Sequence, residues 1–216
     1  MCSSDLRVRA DVDAHPRNVG GRRFGPTQLD LAVGAALYSG RDAYPLLADS
    51  LAALDAGRPG QLLDLADSYV GRSGDGHYDR SWGAFLAVSC LDGPPLGGPD
   101  ALAALSARAA TAAPAFGPAS VGLGEPCATW RVPPVRRSPY TVSGRGAPRL
   151  VVIGTKGDPA TPLRWAEGLA GQLGARLVVA PGAQHTSFPA GDRCIDPVVE
   201  RYLRTARTAA GTLDCS

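Results

Sequence analysis

Two aliphatic runs frame the segment LVVIGTKGDPATPLRWAEGLAGQLGARLVVAPGAQHTS, which covers residues 150–187. The runs Leu150–Ile153 and Leu177–Ala180 are short and continuous, as is typical of strands buried on both faces of a parallel sheet. A helical pattern lies between them. The order strand, helix, strand predicts two parallel strands joined by a right-handed crossover.

The helical pattern between the runs has clear limits. Thr161 and Pro162 suit the N-cap and the first turn of a helix, and Gly174 suits its end. The apolar residues at helical spacing are Leu163, Ala166, Leu169, Ala170 and Leu173. Asp196 and Pro197 then predict the start of a final helix, which completes a βαβα unit.

One polar residue follows each predicted strand. Asp158 lies in the loop after the first strand, and His185 lies in the loop after the second. Parallel strands end at the same edge of a sheet, so the topology places the carboxylate and the imidazole at one edge. There the aspartate can hold one ring nitrogen while the other takes a proton from a serine. Aspartate before histidine is the order that α/β-hydrolases use.

Each residue also has an ordinary structural interpretation. Asp158 precedes a proline and suits a turn or a cap, and His185 suits a surface loop. The joint placement after consecutive strands favours catalysis over two separate coincidences. The other histidines, His15 and His77, lie in polar stretches, and we expect both to be exposed.

The chain before residue 132 has a helical pattern. We expect residues 1–19 to be unreliable or disordered, residues 20–131 to form a helical region and residues 132–149 to be a linker. Thr27 suits an N-cap with Asp30 at the third position. Further helices are predicted around residues 47–54, 62–69, 82–91 and 99–113, although the run 82–91 is short enough to be a strand.

Composition excludes several classes of protein. The net charge of +2 gives no argument for nucleic-acid binding, and no apolar run is long enough to span a membrane. Leaving Cys2 aside, four cysteines remain, an even number that suits two disulfides in a secreted protein. The pairing Cys90–Cys127 with Cys194–Cys215 is favoured among three, with free buried cysteines as the alternative. No pair has the spacing of a zinc site, and no cofactor is indicated.

These residues together resemble a known family, the secreted tripeptidyl-aminopeptidase-like α/β-hydrolases of actinobacteria, relatives of the proline iminopeptidases. The matching residues after the linker are Asp158-Pro-Ala-Thr-Pro162, Trp165, Gln172, His185-Thr-Ser, Cys194 and Cys215. Those before it are Leu37-Tyr38-Ser39, Trp82, Ala87-Val88-Ser89-Cys90 and Cys127-Ala-Thr-Trp130, which look like the family's helical cap.

The resemblance implies hydrolysis of short peptides by an exopeptidase, or related amide and ester hydrolysis. Asp158 is then the triad acid and His185 the triad base, and the pairing of the four cysteines given above is supported. It also implies a secreted or cell-envelope location. Trp82 and Trp130 are candidate pocket walls, although core packing is the favoured role for both. The sequence identifies no group that binds a substrate amine; Glu125 is an acidic residue of the cap region.

One part of the family pattern is missing. No Gly-x-Ser-x-Gly elbow occurs in the 216 residues. Ser73, in the segment Gly71–Gly76, has the right order relative to the acid and the base, but a glycine-rich turn explains it better; Ser143 is too close to the first strand. We therefore expect the cap and the last βαβα unit of a larger hydrolase, whose missing N-terminal half carries the nucleophile. Such a piece would be inactive alone and would expose strand edges and apolar faces.

Two other hypotheses remain open. A non-catalytic secreted binding domain would keep the cap as a surface, and a complete small hydrolase would use Ser73. Peptide and small ester substrates are both compatible with the residues, and the cap gives no motif that separates them.

Overall fold

The chain divides into two compact units in a computed structural model that describes residues 3–93, 96–133, 141–189 and 191–215. Unit 1 comprises Met1–Ala35 and Leu46–Tyr140, and unit 2 comprises Ala36–Pro45 and Thr141–Ser216. No helix among the described residues is long and apolar enough to cross a membrane.

Helices account for most of the chain before the linker, as predicted. In chain order the elements are α1 (Ser3–Ala14), β1 (Arg17–Val19), β2 (Arg22–Phe24), α2 (Pro26–Ser39), α3 (Tyr44–Asp55), α4 (Gly60–Tyr69), α5 (Ser81–Asp92), α6 (Pro99–Ala112), α7 (Gly117–Gly122) and α8 (Glu125–Ala128). The run 82–91 is a helix rather than a strand. The two short helices α7 and α8 were not predicted.

The described N-terminal residues form a helix and a short hairpin. Helix α1 carries Val12, and β2 ends at Phe24; both side chains are fully buried in the core of unit 1. Strands β1 and β2 form an antiparallel hairpin. Its turn is Gly20-Gly21, both with positive φ, the pair that a two-residue hairpin turn favours.

Helix α2 begins differently from the sequence prediction. It starts at Pro26, so Thr27 lies inside the first turn, and the side chain of Gln28 accepts the Gly25 amide at 2.9 Å. Asp30 instead pairs with Arg9 of α1 at 2.9 Å. Burial raises the pKa of Asp30 to about 6 despite this arginine. The pair therefore connects α1 and α2 at a cost in desolvation.

The core of unit 1 combines the hairpin with four helices. Its buried residues are Val12, Phe24, Leu29, Ala32, Leu54, Leu62, Leu63 and Ala66. Ser50, also fully buried, donates to the Leu46 carbonyl at 2.7 Å and lies 2.7 Å from the Gln61 side chain, so its hydroxyl is satisfied. A disulfide between Cys90 and Cys127 joins α5 to α8, which confirms that predicted pair.

Unit 2 contains a three-stranded parallel sheet in the order β3-β4-β5. Its elements are β3 (Val151–Thr155), α9 (Leu163–Leu173), β4 (Arg176–Ala180), α10 (Ile195–Thr205) and β5 (Thr212–Asp214). The first four confirm the predicted βαβα unit. Strand β5 was not predicted, and it pairs with β4 in the register Leu177 to Thr212.

The central strand β4 is buried on both faces. Val178 and Ala180 pack with Ile195 and Val199 of α10, whereas Leu177 and Val179 pack with Ala170 of α9. The alternation along one strand thus assigns the two helices to opposite faces of the sheet. Helix α9 approaches β3 closely, since a Cβ on Gly154 would lie 2.7 Å from the Ala166 Cβ.

The outer edge of β4 is covered by a third strand that was not predicted. Strand β5 lies along it, and the Cys215 amide donates to the Val179 carbonyl at 2.9 Å. The Cys194–Cys215 disulfide, also as predicted, ties the end of β5 to the start of α10. On α9, Trp165 is 57% exposed, and no strand pairs with the other edge of β3 within the described part of unit 2.

The predicted linker, residues 132–149, is described only in part. Residues 134–140 lie outside the described residues, and residues 141–149 contain no helix or strand. One contact attaches this stretch to the sheet unit, where the Val142 amide donates to the Gln172 side chain at 3.0 Å.

Candidate active site

Asp158 and His185 lie in hydrogen-bond contact at the carboxyl end of the sheet. Nδ1 of His185 is 3.0 Å from Oδ2 and 3.2 Å from Oδ1 of Asp158. The contact follows from the topology: β3 and β4 are parallel neighbours, and each residue lies in the loop that follows its strand.

The Asp158 carboxylate is held from its own loop. Oδ1 accepts the backbone amides of Ala160 and Thr161, both at 2.8 Å, and Oδ2 accepts the Thr161 hydroxyl at 2.8 Å. Thr161 therefore does not cap α9, and that prediction was wrong. The N-cap position belongs to Pro162, whose side chain has no hydrogen-bond acceptor, and the Thr161 hydroxyl donates to the Asp158 carboxylate instead.

These hydrogen bonds decide the charge of Asp158. Burial alone would raise its pKa, since the side chain is only 5% exposed. The backbone and hydroxyl bonds from Thr161, the Ala160 amide and His185 together outweigh burial and lower the pKa below its usual value. Asp158 is therefore ionised at neutral pH.

The ionised carboxylate fixes the state of the imidazole. A carboxylate only accepts hydrogen bonds, so Nδ1 of His185 carries a proton and donates it. The Thr161 hydroxyl oxygen, 3.4 Å from Nδ1, offers a second and weaker acceptor. Among the residues that the structure describes, no hydrogen bond reaches Nε2, and the His185 side chain is 28% exposed. The second ring nitrogen is therefore available as a base.

A buried hydroxyl pair fixes the loop that carries His185. Ser187 and Thr155 are both buried, and their hydroxyl oxygens lie 2.7 Å apart. The Gln184 side-chain amide donates to the Ser187 hydroxyl at 3.2 Å and to the Pro181 carbonyl at 3.3 Å. This network joins the end of β3 to both sides of the histidine.

A second close contact joins the two loops through their backbones. The Gly157 amide donates to the Gly182 carbonyl at 2.9 Å, and a Cβ on Gly157 would lie 2.9 Å from that oxygen. Only glycine fits there without movement. The loop that carries Asp158 and the loop that carries His185 are therefore held at a fixed distance from each other.

The segment Ala36–Pro45 supplies the remaining wall of the imidazole. The Tyr38 carbonyl accepts the His185 amide at 2.9 Å, and the two rings meet edge to face with centroids 4.8 Å apart. Gly40, at φ +72°, lies against Gln184, where a Cβ would be 2.8 Å from the Gln184 Cβ. The backbone and one ring of this segment thus hold the His185 imidazole.

Thr186, next to the base, has a rare backbone conformation. Its φ is 76°, in the left-handed region that β-branched residues seldom adopt. Such conformations persist only where their surroundings enforce them, and they cluster at functional sites. The network around Ser187 and the Tyr38 contact supply that enforcement.

The other candidate residues have contacts of a different kind. Ser73 is exposed, and its hydroxyl lies 2.6 Å from the Asp75 carboxylate and 2.9 Å from the His77 carbonyl, as in a polar turn. His77 is exposed, as expected. His15 is also exposed, but it contacts Asp11 at 3.2 Å, an i,i+4 pair that was not predicted.

The cap candidates lie in unit 1. Trp82 stacks on Phe85 with centroids 5.3 Å apart and contacts Tyr69 at 5.8 Å, which favours packing for this residue. Trp130 is 37% exposed, and Glu125, the first residue of α8, is exposed. No group of three or more His, Cys, Asp or Glu side chains among the described residues could hold a metal ion.

Sequence reasoning missed three contributors to this site, namely Thr161 as a partner of the acid, Tyr38 and Gln184. A threonine three residues after an aspartate is a signal for a local side-chain bond, and it could have been used. Tyr38 carries no comparable signal, because it reaches His185 from a segment almost 150 residues away in the chain.

Comparisons with known proteins give one family and several curated relatives. Residues 113–215 match the family described as TAP-like protein. Carboxylesterase B of Mycobacterium tuberculosis is 37% identical over 198 residues, which is 89% of this chain and 38% of that protein. Serine protease Hip1 of the same organism is 37% identical over 199 residues, 88% of this chain and 37% of that protein.

A third relative covers less of the chain. Tripeptidyl aminopeptidase of Streptomyces lividans is 34% identical over 94 residues, 42% of this chain and 17% of that protein. The chain therefore spans well under half the length of each of these relatives. Over residues 113–215, this chain is therefore similar to the C-terminal region of the TAP-like α/β-hydrolases.

Proposed function

We propose that this chain supplies the acid and the base of a serine exopeptidase that removes single residues or tripeptides from short peptides. The contact between Asp158 and Nδ1 of His185 at 3.0 Å carries the proposal, because it leaves Nε2 available for a serine hydroxyl. Relatives named as a serine protease and as a tripeptidyl aminopeptidase support the peptide substrate.

The mechanism assigns one role to each residue. As a serine oxygen attacks the scissile carbonyl, Nε2 of His185 takes the serine proton and then gives it to the leaving amine. Asp158 stays ionised, accepts a hydrogen bond from Nδ1–H and stabilises the imidazolium. A water molecule, activated by the same histidine, then releases the acyl group from the serine.

The nucleophile belongs to a part of the protein outside these 216 residues. No Gly-x-Ser-x-Gly elbow occurs in them, and the contacts of Ser73 are those of a turn. The relatives are more than twice as long as the matched region. We therefore expect the 216 residues alone to be inactive, and we assign the helices of residues 20–131 to the helical cap region of the hydrolase.

A secreted or cell-envelope location is part of the proposal. Two disulfides in one chain support it, because disulfides persist in oxidising compartments.

Ester hydrolysis is the second candidate function. The relative named Carboxylesterase B favours it, and acyl transfer to a serine serves esters as well as amides. The two activities differ in the leaving group, which is an alcohol in one and an amine in the other.

A probe of the isolated chain tests where the nucleophile lies. A fluorophosphonate, which labels activated serines, should leave the oxidised 216-residue chain unlabelled. Labelling at Ser73 would overturn the assignment of the nucleophile to another segment. If the chain stays unlabelled, the genomic sequence directly upstream must encode an in-frame Gly-x-Ser-x-Gly. The absence of that motif would refute the peptidase proposal.

Kinetics of the protein joined to that upstream segment test the two roles. Asp158→Asn and His185→Ala should each lower kcat by roughly 10⁴-fold, whereas His77→Ala, an exposed histidine of unit 1, should leave it unchanged. Tripeptidyl and aminoacyl nitroanilides compared with a nitrophenyl ester rank the substrate classes. A purified, folded protein that cleaves none of them would support a non-catalytic binding domain instead.

A further inference from the structure

A basic cavity lies at the amino-terminal end of strand β4, whereas Asp158 and His185 lie beyond the carboxyl ends of β3 and β4. It has a volume of about 520 Å³ and is lined by the start of β4, by α10 and by the segment before β5. Arg176 is the first residue of β4, whereas the loop that carries His185 follows the last. The cavity is therefore separated from Asp158 and His185 by the length of β4, and the proposed hydrolase site does not account for it.

Three arginines line this cavity, and none of its lining residues is acidic. They are Arg176, Arg201 and Arg207. The nearby carboxylate Glu200 is engaged by Arg204 at 3.4 Å, and neither residue lines the cavity. Three positive charges thus converge without a compensating carboxylate in the lining, an arrangement that attracts an anion.

The guanidinium of Arg176 supplies a second, independent observation. Its Nε is buried and has no hydrogen-bond partner among the described residues. One of its terminal nitrogens donates to the Thr208 hydroxyl at a long 3.4 Å. A buried donor without an acceptor is costly, and an anion in the cavity would satisfy it. Guanidinium groups match the geometry of phosphate oxygens in particular.

The rest of the lining is apolar. Pro197 and Val198 of α10 and Ala209 face the same space. A volume of about 520 Å³ is several times that of a phosphate group and falls in the usual range of small-molecule sites. An anionic head with an attached organic group fits both parts of the lining.

We propose that this cavity binds a small organic phosphomonoester, with its phosphate on Arg176, Arg201 and Arg207 and its organic group against Pro197, Val198 and Ala209. The site is independent of the proposed hydrolase activity, because it shares no residue with the triad. Its occupancy can therefore be tested on the 216-residue chain, whether or not that chain hydrolyses anything.

The test follows the side-chain Nε–H signals of the arginines by NMR. Phenyl phosphate is added to the oxidised chain at constant ionic strength. Inorganic phosphate, phenol and sodium chloride are added in three separate control titrations. We expect a saturable shift of the Arg176 Nε–H signal with phenyl phosphate and a Kd at least about fivefold lower than with inorganic phosphate. Phenol and chloride should give no saturable shift.

Matched variants separate the site from general charge. Arg201→Gln and Arg207→Gln should each weaken phenyl phosphate binding by about tenfold, since each removes one charged donor. Arg204→Gln lies on the same helix, carries the same charge and does not line the cavity, so it should leave the Kd unchanged. Both arginines are exposed, so these variants should fold.

Three outcomes would overturn the proposal. The Arg176 signal could respond to chloride as it does to phosphate, which would mean an adventitious ion only. Phenyl phosphate could bind no more tightly than inorganic phosphate, which would remove the organic part of the ligand. Arg204→Gln could weaken binding as much as Arg207→Gln, which would reduce the effect to net charge.

Discussion

Replacing Thr161 by valine removes the hydroxyl group that donates to the acid of the proposed triad and that lies 3.4 Å from Nδ1 of His185. Valine keeps the shape of threonine and both backbone amides, but it cannot donate to Oδ2 of Asp158. A hydrogen bond to a charged group contributes about 1.5–3 kcal/mol. Because Thr161 is exposed and water can replace part of the bond, we expect a loss of about 1–1.5 kcal/mol at neutral pH.

The pH dependence identifies the carboxylate as the acceptor. The pKa of Asp158 is lowered in the folded protein, so the stability that it contributes is present above its unfolded pKa and is lost as the pH falls through the folded pKa. Thr161→Val raises the folded pKa. The difference between the native and variant proteins should therefore be full at pH 7 and shrink as the pH falls below about 4.

Urea unfolding followed by circular dichroism at pH 7, 5, 4, 3 and 2.5 measures this difference. Thr205→Val is a matched control, because its hydroxyl donates to the Arg201 carbonyl at 2.7 Å and touches no carboxylate. Its effect should not vary with pH, and Thr161→Ser should behave like the native protein. An equal cost of Thr161→Val at pH 7 and pH 2.5 would refute the assignment.

Three further changes probe the two units. Burial raises the pKa of Asp30 to about 6, so the free energy of unfolding should fall by roughly 3 kcal/mol as the pH rises from about 4 to above 6. In urea unfolding, Asp30→Asn should flatten this pH profile, and a flat profile of the native protein would contradict the prediction. Gly40→Ala should cost about 1–3 kcal/mol more than Gly57→Ala, because both have positive φ but only Gly40 has neighbours within 4 Å; equal costs in thermal unfolding would exclude packing as the cause. Replacing both Cys194 and Cys215 by serine should lower the free energy of unfolding by about 2–4 kcal/mol relative to the oxidised native chain in urea unfolding, and equal stabilities would contradict this.

The sequence predicted the parts of the fold that depend on local pattern. Continuous aliphatic runs revealed β3 and β4, and the separation of Asp158 and His185 by one crossover was enough to predict their contact. The helices with strong apolar periodicity were also found. In each case the signal lies within about 30 neighbouring residues, where period and topology determine the outcome.

The missed features depend on partners far away in the chain or on weak local signals. Strand β5 has only three residues, two of them exposed, so its pairing with β4 determines its structure. The hairpin turn Gly20-Gly21 was a usable signal, but arginines flank it and obscure the alternation of a strand. The contact between Tyr38 and His185 follows from tertiary structure alone.

The division of the chain has a consequence for how this protein can change over evolution. The segment Ala36–Pro45, which contacts His185, belongs to the same unit as the sheet, and residues 46–140 are inserted between the two parts of that unit. The contacts described above for Asp158 and His185 come from the two parts of this unit. A transfer of Thr141–Ser216 to another protein would leave the imidazole without Tyr38. The residues that form this site are therefore encoded by two separate stretches of the gene.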